Sequence, residues 1–326
     1  MTGALQRYRT WLADSSRWDD FQFRPGDIVI STPANCGTTW MQMICALLIF
    51  GDARLPRPLT EISPWLDIAT SPTGEVIAKL EAQRHRRFIK THTPLDGLPL
   101  DARATYICVG RDPRDAAISA DNHLIAMDRE VLIKARLSVT DPRTGSANTG
   151  SPIPSPRIPR PPRPLRSKPA DRLERFWRWV EQAAPPESGL ELQLRHLTTF
   201  WDRLQASNIV LIHYSDLRAD LEGEMRRLAG RLDIAINTDS WVRLVAEARF
   251  DRMRERADEV VPEVTIDGLW PDTRRFFNRG ASGQWRSLLG PAELRRYEAR
   301  VRQLAAPDLA FWIHKGSRAG ASAFLP

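Results

Sequence analysis

Lysine is scarce in this chain: Lys79, Lys90, Lys134, Lys168 and Lys315 are five of its 47 basic residues. Basic character is therefore carried by arginine throughout, and a lysine inside a motif stands out. Cysteine is scarce too. Cys36, Cys45 and Cys108 are too few for a disulfide framework, and their spacing matches no metal site, so a reducing cytoplasm is the expected compartment. Long apolar runs are missing. The longest, Met43 to Phe50, is far shorter than a membrane span, and the opening MTGALQRYRTWLADSSRW holds no apolar stretch of a signal peptide. Acid does not balance base. The net charge of +7 suggests an anionic partner (nucleotide, nucleic acid or lipid headgroup), although a general arginine bias accounts for most individual arginines.

What is present is an alternation. Short β-branched or aromatic runs at Asp27–Ser31, Arg87–Lys90, Thr105–Val109 and Asn208–His213 read as strands. Between and after them, helices are predicted at Thr38–Phe50, Glu75–Gln83, Pro113–Ala126, Asp171–Gln182, Leu190–Ala206, Asp216–Leu232, Ser240–Ala248 and Pro291–Leu304. The pattern predicts a single α/β domain, a central parallel β-sheet flanked by helices. One stretch departs from it. Residues 141–170 hold nine prolines, six basic residues and one acid, and can be neither helix nor central strand. They read as an insertion or linker, or as a lid or membrane-facing loop over an acceptor site. They do not read as a domain boundary, because the motifs on either side serve one site.

Four constellations carry chemistry. In the first, strand Ile28–Ser31 runs into TPANCGTTW, with a helix opening at Gly37-Thr38-Thr39. Such a layout aims free N–H groups, two hydroxyls and a helix dipole at one point, which suits phosphate or sulfate. It is not an ATP-type P-loop, because Thr32 and Thr38 stand where that motif needs glycine and lysine. Second, Arg111 to Ser119 follows the strand TYICVG. Arg111 can pair bidentately with a phosphate, or simply with Asp112 or Asp115, and Pro113 suits a first helical turn. Third, Lys90-Thr91-His92-Thr93-Pro94 also follows a strand, at the end of a sheet where α/β ligand sites lie. That position makes His92 a candidate general base. Fourth, Phe276-Phe277-Asn278-Arg279-Gly280 leads through Ala281-Ser282 to Gly283-Gln284-Trp285, with glycines that allow close backbone approach to an anion. An ordinary surface turn would look the same.

Taken in order, the four resemble the cytosolic-type sulfotransferase family. TPANCGTTW is similar to its TYPKSGTTW, Lys90–Pro94 to KxHxP, Arg111–Ser119 to RNPxDxxVS, and Asn278–Trp285 to RKGxxGDW. ISPWLDI (Ile62–Ile68) resembles its acceptor-side SPW stretch, and VLIHYSDL (Val210–Leu217) its tyrosine-bearing strand end. The likeness runs from about Asp27 to Leu304, and RRFIKTHTPLDGL and YICVGRDPRDAA look closest to mycobacterial glycolipid sulfotransferases.

The resemblance implies a P-loop-like phosphosulfate-binding loop and sulfuryl transfer from 3′-phosphoadenosine 5′-phosphosulfate (PAPS), leaving PAP, with no metal. The acceptor it implies is a hydroxyl of a lipid, glycolipid or small hydrophobic alcohol, and the basic, proline-rich stretch 141–170 adds the expectation of peripheral membrane contact at the inner membrane face. Asn35, Cys36, Gly37, Thr38, Thr39 and Trp40 would cradle the phosphosulfate. Arg111 and Ser119, with Asn278, Arg279 and Gly280, would hold the 3′-phosphate. Trp40 and Phe250 would flank the adenine, and Tyr214 would contact it. His92 would take the acceptor's proton, and Lys90 would neutralise developing charge.

Three departures stand out: the family's loop lysine is Asn35, its Arg-Lys-Gly is Asn278-Arg279-Gly280, and its aspartate before Trp285 is Gln284, a place with no proposed chemistry. Asn35 leaves open a PAPS- or PAP-binding protein with little or no catalysis. Nucleic acid is not an expected partner, because no arginine cluster interleaved with aromatics stands out. RSLLGPAELR does not match the family's dimerising KxxxTVxxxE, so the sequence sets no oligomeric state.

Overall fold

The computed structural model describes residues 4–139, 171–182, 188–261, 266, 268–277 and 280–318. The proline-rich stretch 141–170 and two expected site residues, Asn278 and Arg279, lie outside the described residues.

Four strands form one sheet: β1 (Ile28–Ser31), β2 (Phe88–Thr91), β3 (Thr105–Gly110) and β4 (Ile209–His213). Their order is β2-β1-β3-β4 and every pairing is parallel, with Ile28 opposite Phe88 and Thr105, and Tyr106 opposite Ile209. Period-two alternation divides each strand between two cores. Ile28, Ile30, Phe88, Ile107, Val109, Val210 and Ile212 face one, while Val29, Ile89, Tyr106, Cys108 and Ile209 face the other.

The helices are α1 (Thr38–Phe50), α2 (Leu59–Ile62), α3 (Thr73–Glu81), α4 (Pro113–Ala126), α5 (Arg129–Ser138), α6 (Arg172–Glu181), α7 (Leu190–Trp201), α8 (Tyr214–Ala219), α9 (Leu221–Arg231), α10 (Trp241–Glu247), α11 (Phe250–Glu255), α12 (Ala257–Val260), α13 (Pro291–Leu304) and α14 (Pro307–Lys315). The first core packs under α1, α9 and α10, the second under α6, α7, α13 and α14. Helix α1 is buried from Thr38 to Leu48, which explains its apolar composition all round. Among the described residues no helix is long and apolar enough to cross a membrane.

Most expected helices fall within two residues of their observed limits, and two differ by more. The stretch expected as one helix over Asp216–Leu232 is two, α8 and α9. Asp220 leaves helical geometry (φ −151°, ψ 80°) and its side chain accepts the Gly223 N–H, opening α9 as a new N-cap. Helix α7 ends at Trp201 rather than Ala206, in turns tied by the Arg203 N–H to Phe200 and the Ala206 N–H to Arg203.

This topology positions the site. All four strands point the same way, so their C-terminal ends share one edge of the sheet. The chain leaves β1 for β2 on one side, then returns to β3 on the other. That reversal opens a crevice where α/β proteins bind ligands. A buried ion pair braces the opposite edge: Arg87 Nε donates to Asp27 Oδ1 at 2.8 Å, and Arg87 Nη2 lies on Oδ2.

Candidate functional site

Three of the four motifs follow the ends of β1, β2 and β3, Tyr214 follows β4, and the described part of the fourth motif, Gly280–Trp285, lies in the loop between α12 and α13. After β1 the chain turns at Asn35, whose φ of 64° is left-handed, and Gly37 at φ 108°. Asparagine tolerates that region better than most residues, and glycine is at home there. At Gly37 a Cβ would also meet the Tyr214 ring at 3.1 Å. Helix α1 then starts with no side-chain cap and no acid in its first turn. The N–H groups of Thr38, Thr39 and Trp40 have no partner within the helix, and the dipole favours an anion there. The Thr38 hydroxyl is closely bonded to that of Thr32. The Thr39 hydroxyl makes no hydrogen bond among the described residues and lines the cavity above. The Cys36 N–H turns back to the Pro33 carbonyl at 3.3 Å, and burial pushes its thiol up to about 12.

Arg111, at the end of β3, pairs with neither Asp112 nor Asp115. Its Nη1 donates to the Asn35 carbonyl at 2.9 Å, and its guanidinium stacks 4.4 Å from the centre of the Tyr214 ring. Its Nε is buried with no hydrogen-bond partner, a donor that a bound anion could satisfy. Asp112 is held instead by Arg114, at 2.7 Å. Asp115 accepts the backbone N–H groups of Gly283 (2.7 Å) and Gln284 (2.8 Å), which ties the C-terminal loop to the start of α4. Arg218 donates to the Gly280 carbonyl from the other side. Gly280 has φ 57°, and a Cβ there would strike the Phe250 ring at 2.4 Å. Trp40 donates its indole N–H to the Ala248 carbonyl at 2.8 Å and sits edge-on to Tyr214, 5.2 Å between centres. Ser119 faces the same cavity from α4.

At the end of β2, His92 Nδ1 lies 2.7 Å from the Thr32 carbonyl oxygen. A carbonyl only accepts, so Nδ1 carries the hydrogen and Nε2 is the basic nitrogen. Burial, and then the Lys90 charge, push His92 down to about 3, so the ring is neutral near pH 7. Lys90 Nζ sits 4.2 Å from the centre of the Trp65 ring, which is itself edge-on to His92 at 4.8 Å.

Trp65 is held in turn. The SPW stretch runs alongside β2, with the Lys90 N–H on the Pro64 carbonyl and the Leu66 N–H on the Lys90 carbonyl. The fully buried Asp67 accepts from Trp65 Nε1 (2.5 Å), Thr91 (2.6 Å), Thr93 (2.6 Å) and Trp18 (3.2 Å). Burial raises the Asp67 carboxyl, and these donors oppose the rise. The motif spacing gives no sign of Asp67, although its place two residues after Trp65 is legible afterwards.

A cavity of about 310 Å³ joins these pieces. Asn35, Gly37 to Trp40, Lys90, His92, Arg111, Ser119, Tyr214, Phe250 and Gly280 all line it. Gln284 lines it too, although the sequence assigns that position no chemistry, and its side chain donates to the Ala281 carbonyl at 3.0 Å. His123, Trp270, Phe276 and Phe277 build a further wall: sequence reasoning missed His123 and Trp270, and took in Phe276 and Phe277 only as the start of the fourth motif, with no role assigned. A lone histidine in DNHLIA reads as helix interior, and its only signal is spacing: Ser119 and His123 are four apart, on one face of α4.

Comparison with known proteins bears on the family and the fold. A sulfotransferase domain model matches residues 25–307. A glycolipid sulfotransferase of Mycobacterium bovis is 43% identical over 325 residues, covering 95% of this chain and 94% of that protein. One from Mycobacterium tuberculosis is 42% identical over 329 residues, with the same coverage. Among solved structures, retinol dehydratase in complex with retinol and PAP superposes with a TM-score of 0.63 at 17% identity, over 89% of this chain and 86% of that one. Its complex with androsterone and PAP gives 0.65 at 16% identity, over 94% and 93%. At such identities the two structures show a shared fold. The family model and the mycobacterial relatives go further: the chain belongs to the sulfotransferase family.

Proposed function

We propose that the cavity takes PAPS as sulfuryl donor and transfers the group to a hydroxyl of a lipid, glycolipid or small hydrophobic alcohol, with His92 as general base. One observation carries this reading: the Nδ1 bond to Thr32 leaves a neutral Nε2 as the basic nitrogen, in the same cavity as Lys90 and the uncapped start of α1. The residues present suit the donor. The first-turn N–H groups and the Thr39 hydroxyl answer a phosphosulfate, the unpartnered Arg111 Nε answers a second anionic group, and Trp40 and Phe250 offer aromatic surface to a base.

In the step itself, the acceptor oxygen bonds to sulfur as its proton passes to His92 Nε2. The bond from sulfur to the bridging phosphate oxygen breaks, and its electrons leave with PAP. Lys90, in the same cavity, offsets the charge that grows on that oxygen. A neutral imidazole near pH 7 is ready to accept the proton, and the negative donor nearby counters the Lys90 charge that weakens it as a base. The apolar far wall suits an amphiphilic acceptor, and the three free, buried cysteines fit work in a reducing cytoplasm.

The alternative with a specific observation behind it is a PAPS- or PAP-binding protein of little turnover, because Asn35 brings no charge to the leaving phosphate. Incubation with radiolabelled PAPS and a lipid extract separates the two. Labelled lipid together with PAP-dependent thermal stabilisation supports transfer. Stabilisation with no labelled product supports the binding protein. Neither result would reject the donor site itself.

A further inference from the structure

On α4, one turn beyond Ser119, His123 lines the same cavity. Its ring is clamped between two aromatic edges: Trp270 at 4.7 Å and 72°, and Phe276 at 5.2 Å and 67°. Trp270 and Phe276 meet each other at 5.3 Å and 87°, so the three rings form one corner of the wall. Packing thus fixes the imidazole, yet neither ring nitrogen makes a hydrogen bond among the described residues. A polar group held rigidly and left unmatched in a cavity is what a ligand-recognition site needs.

We propose that His123 is a specificity-determining residue of the acceptor subsite, which binds a second, non-reacting hydroxyl and so selects a polyhydroxylated, sugar-like headgroup over a simple alcohol. The proposal rests on the transferase reading above. Its chemistry follows from the imidazole. Burial, with the Lys90 charge, pushes the ring down to about 4, so near pH 7 it offers one donor and one acceptor nitrogen. A hydroxyl can answer both, whereas the neutral ring itself offers an anionic headgroup no charge. The neighbouring Trp270 and Phe276 rings supply flat apolar surface for the C–H face of a pyranose. A monoalcohol would fill the same space but leave the imidazole unanswered.

The test uses the full chain and two acceptors, n-octyl β-D-glucopyranoside below its micelle concentration and 1-dodecanol, with labelled PAPS. In His123→Phe, which keeps an aromatic ring without hydrogen bonding, kcat/KM for the glucoside relative to the alcohol should fall roughly tenfold, mainly through KM. His123→Gln, which retains a donor and an acceptor, should recover most of that ratio. Titration of the glucoside into the protein, with and without PAP, reads the subsite with no turnover, and His123→Phe should weaken binding by a similar factor. An unchanged ratio, a glutamine variant no better than phenylalanine, or a wild-type protein that binds no glucoside would overturn the proposal. Glucoside binding that depends on His123 without any label transfer would instead reject the transferase reading and leave this subsite standing.

Discussion

Replacing Asn35 by lysine sets two effects of opposite sign against each other. A lysine here would bring a positive charge beside the leaving phosphate, where the family carries one. A single well-placed donor of this kind contributes about 2.7–4 kcal/mol to a transition state. Lys90 lines the same cavity and, on the proposed reading, would supply part of that field, so the expected gain is smaller, on the order of tenfold in kcat. The backbone opposes the change. Asn35 sits at φ 64°, where asparagine is tolerated and lysine costs roughly 1 kcal/mol. In a chain of this size that lowers Tm by about 2 °C. Asn35→Gly separates the two effects, because glycine removes the side chain and accepts the left-handed turn without strain. The assay is steady-state transfer from PAPS beside thermal unfolding. Asn35→Lys should be faster and slightly less stable, and Asn35→Gly slower without loss of stability. A slower lysine variant that still binds PAP would refute the electrostatic reasoning: the site would then be built around the asparagine side chain.

Two further outcomes follow from the packing. Gly280→Ala places a Cβ 2.4 Å from the Phe250 ring at a left-handed φ, so it should displace that ring and weaken PAP-dependent thermal stabilisation; unchanged stabilisation would show that Phe250 does not contact the nucleotide. Burial holds His196 at about 3, against 6.5 for an ordinary histidine, with Nε2 3.0 Å from the Ser31 hydroxyl. The unfolded chain takes up a proton below pH 6.5 and the folded one does not until about pH 3, so this stability is present at neutral pH and is lost as pH falls through that window. Between pH 7 and pH 5 the loss from this residue is about 2 kcal/mol. It should appear as a falling Tm that His196→Gln makes shallower, and identical slopes would contradict it.

The sheet was legible because each strand is a short run of β-branched and aromatic residues, buried on both faces. The limits of α1, α4 and α13 match their expected ranges, since Gly37, Pro113 and Pro291 mark the starts chemically. The break at Asp220 was hidden because both sides of it favour helix, and the tertiary course of the chain decides there. Helix α14 carried a readable signal, Pro307 followed by Asp308 in the first turn, that the strand–helix alternation passed over. Of the site, the parts after each strand were visible as motifs, because parallel strands bring their C-terminal ends together. The corner at His123 was not. His123 lies far in sequence from Trp270 and Phe276, and although Phe276 opened the fourth motif, the three exist as one surface only in the packed molecule.

The most direct measurement is single-turnover transfer from labelled PAPS by His92→Ala, with PAP affinity measured on the same sample. Removing Nε2 deletes the proton acceptor and leaves the anion cradle of α1 and Arg111 in place. The account predicts transfer reduced by a factor of about 10²–10⁴ with PAP affinity within a few-fold of wild type. Transfer that persists at the wild-type rate in His92→Ala would contradict it.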